Sequence, residues 1–107
     1  MIKADFYQKE HILFGFRIRG HAGFADEGSD IVCAAASSAV QFASNLITEG
    51  FGLPADIQVR NNDLSLTLPE SSMTEQAVTV LEALKMHLTL LSEDYAGTIQ
   101  ITLLSEV

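Results

Sequence analysis

Hydrophobic positions along the chain recur with a period that changes from segment to segment. Ile2, Ala4 and Phe6 alternate with Lys3, Asp5 and Tyr7, the two-residue repeat of a half-buried strand. Gln8-Lys9-Glu10 reads as a turn. A second strand follows from Ile12 through Leu13, in which Phe14, Phe16 and Ile18 alternate with Gly15, Arg17 and Arg19, so the two strands are expected to pair as a hairpin.

From Asp30 the spacing lengthens. Val32, Ala35, Ala36, Ala39, Ala43, Leu46 and Ile47 draw one stripe along a helix, which Gly50 stops and Gly52 and Pro54 keep from resuming. Its early alanines and serines make it slim, able to lie close to a sheet or a second helix. Ile57 and Val59 then mark a strand. Asn61-Asn62-Asp63 turns it back into Leu64, Leu66 and Leu68, which alternate with Ser65 and Thr67. Ser72-Met73-Thr74-Glu75 has the form of a capping box that opens a second helical stripe, Met73, Ala77, Val80, Leu81, Leu84, Leu88 and Leu91. Beyond Gly97, Ile99, Ile101 and Leu103 form the buried side of a last strand.

The order strand, strand, helix, strand, strand, helix, strand predicts an α+β fold with two helices packed on one face of a mostly antiparallel sheet. The 107 residues suit a single domain spanning residues 1–107, and neither a linker nor a low-complexity tract divides them. No segment is read as apolar over the length a bilayer crossing requires, and Met1 to Phe6 lack the cationic start of a secretory signal. A cytoplasmic protein with no membrane partner is therefore expected. Fourteen acidic residues against six basic ones give a net charge of −8, which repels a phosphate backbone and favours a basic protein or peptide over nucleic acid.

The chemistry concentrates where the second strand meets the first helix. Cys33 is the only cysteine, so it forms no internal disulfide, and it falls in the first helical turn if Ser29 or Asp30 is the cap. Backbone N–H groups and the positive end of the helix dipole favour a thiolate there. His21 closes the preceding strand and could take the thiol proton, with Gly23 and Gly28 letting the intervening chain fold back. Ser37 lies one turn beyond Cys33 on the same side, where its hydroxyl can meet a substrate carbonyl or the thiolate. Asp30 either orients the histidine ring or caps the helix. By themselves, a single cysteine near a helix is more often a small buried residue, and a histidine at a strand end a surface one. His21, Asp26, Glu27 and Cys33 lack the paired spacing of a metal site, and neither a metal nor a cofactor is expected.

Gly20-His21-Ala22, the glycine-containing acidic loop, and Gly28-Ser29-Asp30-Ile31-Val32-Cys33-Ala34-Ala35 together resemble the bacterial ribosomal-processing cysteine protease family, Prp, and the likeness extends over essentially the whole chain. The resemblance implies a cytoplasmic endopeptidase that removes an N-terminal extension from large-subunit ribosomal protein twenty-seven. It makes Cys33 the nucleophile and His21 the general base and acid, with Asp30 and Ser37 in support. It also implies a homodimer, a loop from Ala22 through Ser29 that becomes ordered as substrate arrives, and Gly20, Ala22, Gly23, Phe24 and Gly28 as the substrate-binding loop positions. Phe24 either contacts an apolar substrate side chain or pins the loop to the domain. Two other readings compete: a noncatalytic ribosome-assembly factor binding the same basic partner, and a thiol redox sensor.

Overall fold

The computed structural model describes residues 1–21 and 30–106. Strands β1 (Ile2–Lys9) and β2 (Ile12–Arg19) form a hairpin, followed by helix α1 (Ile31–Asn45), a second hairpin β3 (Asp56–Arg60) and β4 (Asp63–Thr67), helix α2 (Glu75–Asp94) and strand β5 (Ile99–Glu106). The sheet order is β3-β4-β2-β1-β5, antiparallel throughout except that β5 lies parallel to β1. That parallel pairing needs a crossover, and α2 supplies it by packing across β2 and β5. The expected α+β layout holds.

Both helices pack over one face of the sheet. Ile2, Ala4 and Phe6 of β1, Phe16 of β2 and Leu66 of β4 join Val32, Ala36, Val40 and Ala43 of α1 and Ala77, Leu81, Leu84 and Leu88 of α2 in one core. The opposite face is polar, with Arg17 gripping Asp63 across the strands through Nε–Oδ1 and Nη2–Oδ2 contacts of 3.0 and 2.8 Å. This two-point contact holds the Asp63 carboxyl below the usual carboxylate range and raises the Arg17 guanidinium.

Several local expectations change. The first turn sits at Glu10 and His11, both with positive φ, because β1 continues to Lys9. A bulge between Tyr7 and Gln8 leaves Phe14 unpaired in β2 and inverts the alternation. Leu13 is thereby buried, while Phe14 stacks on Tyr7 at 6.1 Å. The cap of α2 is Thr74, which accepts from the Ala77 N–H, whereas the Ser72 hydroxyl donates to the Pro54 carbonyl. Leu103 is 44% exposed, on β5 at the edge of the sheet. Every residue of β3 is exposed as well, so this outer hairpin strand stands clear of the core.

The first helix ends at Gly50 as expected, but its apolar length corrects the reading that no segment is long and apolar enough to cross a bilayer. A π-helical turn over Leu46–Gly50 extends α1, and the Phe51 N–H closes on the Leu46 carbonyl at 2.9 Å. The continuous run Ile31–Gly50, 20 residues, is long and apolar enough by composition to cross a bilayer. Its apolarity serves the domain: Val32, Ala36, Val40, Ala43 and Ile47 are buried in the same core as the sheet.

Candidate active site

Asp30 begins the site by beginning the helix. Its backbone is extended, and one carboxylate oxygen accepts from the N–H groups of Val32 and Cys33 at 3.0 and 3.1 Å, while its carbonyl accepts from the Ala34 N–H. Asp30 is buried and fills the role of helix cap. The N–H groups of Val32, Cys33 and Ala34 are therefore committed to Asp30, which removes them from the expected supply of amide donors around the thiol. The helix dipole remains.

Cys33 is half-buried at the edge of the core, as a position one step round from Val32 requires. It lines a groove of about 230 Å³ with Ser37, Val40 and Gln41 of α1 on one wall and Val59, Asn62 and Leu64 of the outer hairpin on the other. Ser37 accepts from the Gln41 amide at 3.1 Å, an arrangement that does not consume its own O–H proton. The groove thus presents a thiol and a hydroxyl one helical turn apart.

His21 is reached from the other wall. The β2–β4 ladder continues one step past Arg19, where the Gly20 N–H donates to the Asn62 carbonyl at 2.9 Å. His21 follows directly, and its Nε2 stands 3.0 Å from the Asn62 amide nitrogen. Gly20 has φ of 91°, and a Cβ there would lie 2.8 Å from the Met1 carbonyl oxygen, so the turn out of β2 requires glycine. Gly20 therefore acts through backbone shape. Ala22, Gly23, Phe24 and Gly28 lie outside the described residues, together with Asp26, Glu27 and Ser29.

Asn62 is the residue that sequence reasoning left in a turn. Its φ of 58° is a left-handed conformation that asparagine tolerates better than most residues, and this explains its presence at a two-residue hairpin turn. Nothing in the local pattern ties it to His21, which is 41 positions away. The pairing arises only when β2 and β4 become neighbours.

Residues 1–100 match the cysteine protease Prp family. The ribosomal processing cysteine protease Prp of Bacillus subtilis (strain 168) is 28% identical over 95 residues, covering 84% of this chain and 85% of that protein. Among solved structures, the essential ribosomal processing protease Prp from S. aureus, in complex with a covalently linked product peptide, superposes with a TM-score of 0.86 at 24% identity. That alignment covers 96% of this chain and 99% of the other. A protein of Streptococcus mutans gives a TM-score of 0.85 at 24% identity over 99% of this chain and 96% of its own. These structural likenesses are of fold, whereas the family match spans nearly the whole sequence, and on that ground the chain belongs to the cysteine protease Prp family.

Proposed function

We propose that the protein is a cysteine endopeptidase that removes an N-terminal extension from large-subunit ribosomal protein twenty-seven, with Cys33 as nucleophile and His21 as general base and acid. The observation that carries this reading is the shared groove: Cys33 and Ser37 on one wall face Asn62, which holds His21, on the other. The thiol proton passes to the imidazole, the thiolate attacks the scissile carbonyl, and the imidazolium returns the proton to the departing amine. Water then hydrolyses the thioester. Asp30 supports the site by fixing the start of α1, and Ser37 offers its hydroxyl to the substrate or the thiolate. The loop of Gly20, Ala22, Gly23, Phe24 and Gly28 is the proposed substrate contact.

An excess of acidic side chains suits a basic ribosomal precursor as substrate, and a single cysteine that forms no internal disulfide suits a cytoplasmic setting. We also propose a homodimer. Phe42 (72% exposed) borders an apolar groove between α1 and α2 lined by Ala39, Leu46, Val80 and His87, a surface that a second copy would cover. Incubating the ribosomal precursor with the wild type and with Cys33→Ala tests the activity. Cleavage by the wild type alone is expected. Cleavage by both would refute Cys33 as nucleophile, and binding without cleavage by either would favour an assembly factor.

A further inference from the structure

We infer that Asn62 is a positioning residue for His21, holding the ring by Nε2 so that Nδ1 is the nitrogen that exchanges a proton with Cys33. The inference rests on the protease reading above and assigns a further residue to its site. Three observations converge on it. The Asn62 side-chain amide lies 3.0 Å from Nε2, the Asn62 carbonyl accepts from the Gly20 N–H immediately before the histidine, and Asn62 lines the groove that contains Cys33. One residue thus anchors both the backbone and the ring of the proposed base.

The turn that carries Asn62 is itself held firmly. Asp63, the next residue, pairs with Arg19 in the β2–β4 register and is gripped by Arg17 through two hydrogen bonds. Arg60, on the other side of the turn, pairs with Asp63 across the hairpin. The amide therefore reaches His21 from a fixed platform. For Nδ1 to take the Cys33 proton it must be bare, so the neutral ring carries its hydrogen on Nε2, and a half-turn of the Asn62 amide about Cβ–Cγ brings its oxygen to accept from that Nε2–H. When the Cys33 proton moves to Nδ1, the resulting imidazolium carries a proton on each nitrogen, and the Asn62 oxygen keeps its hold on the one at Nε2 throughout. A neutral amide does this without fixing the charge of the ring, as a carboxylate would.

Asn62→Gly is the clean deletion, because glycine keeps the left-handed turn and the carbonyl that meets Gly20 while removing the amide. Asn62→Asp restores an acceptor and adds a charge. The rate of Cys33 alkylation by iodoacetamide and the titration of the His21 ring by NMR are followed across about pH 5 to 8, the range in which histidine changes charge. Cleavage of the ribosomal precursor is measured in parallel. Asn62→Gly should lower kcat by about 10- to 100-fold, part of the factor that a positioned acid–base group contributes, with KM within about twofold and Tm unchanged. Asn62→Asp should recover part of kcat and shift the His21 titration to higher pH than in the wild type. A glycine variant with wild-type kcat would overturn the inference, as would an aspartate variant whose His21 titration does not move. If the wild type cleaves no precursor yet alkylation and titration both respond to Asn62, the protease reading falls and the contact's role stands.

Discussion

Replacing Asp30 separates its role as helix cap from the alternative of ring orienter. Asp30→Ala removes the carboxylate oxygen that accepts from the Val32 and Cys33 N–H groups. Loss of an N-cap to alanine costs about 0.5–2 kcal/mol. The upper part of that range applies, because Asp30 is only 5% exposed and Val32 is fully buried, so water does not readily replace the lost acceptor. A loss of about 2 kcal/mol in a chain of this length lowers Tm by roughly 8–15 °C. Asp30→Asn keeps an oxygen in the same place and should lie within a few degrees of the wild type. The assays are thermal unfolding by circular dichroism and iodoacetamide alkylation of Cys33 at neutral pH, both on the purified chain. If capping is the role, the asparagine variant keeps both its Tm and its alkylation rate. An alanine variant that melts with the wild type would refute the capping argument. So would an asparagine variant of unchanged Tm that has lost thiol reactivity, since that pattern belongs to a carboxylate acting on the histidine.

Other outcomes follow from the packing and the charges. Gly15→Ala would put a Cβ 2.6 Å from the Leu66 carbonyl oxygen, backbone against backbone between β2 and β4, and should cost about 1–3 kcal/mol in urea unfolding. Leu81→Ala opens the fully buried contact between α2 and the sheet and should cost about 2–5 kcal/mol, read as a lower urea midpoint with an unchanged slope. Asp63, held below the usual range chiefly by its hydrogen bonds to Arg17, contributes stability above that range and loses it as pH falls through its lowered pKa. Asp63→Asn should therefore flatten the decline of Tm in acid, below about pH 4, and a decline identical to the wild type would count against the pair. Phe42→Asp should leave the fold intact and give a monomer by light scattering if the apolar groove is the dimer surface.

The alternation and helical spacing determined the element order and the composition of most of the core, because burial on one face writes its period directly into the sequence. The helix cap at Asp30 and the place of Cys33 in the first turn were likewise legible, since capping is a contact between near neighbours. Phe14 and Leu13 exchanged faces because a bulge changes register without changing the residues that flank it. The parallel docking of β5 beside β1, and with it the edge where Leu103 stays exposed, depended on the path of α2 across the sheet. Asn62 marks the boundary most sharply. Its sequence context accounts for a left-handed turn residue and nothing more, while the pairing of β2 with β4 places that residue beside His21. Local chemistry could put a thiol at a helix mouth and a histidine at a strand end; the partner that holds the histidine was chosen by strand pairing, a contact between segments that no local pattern encodes.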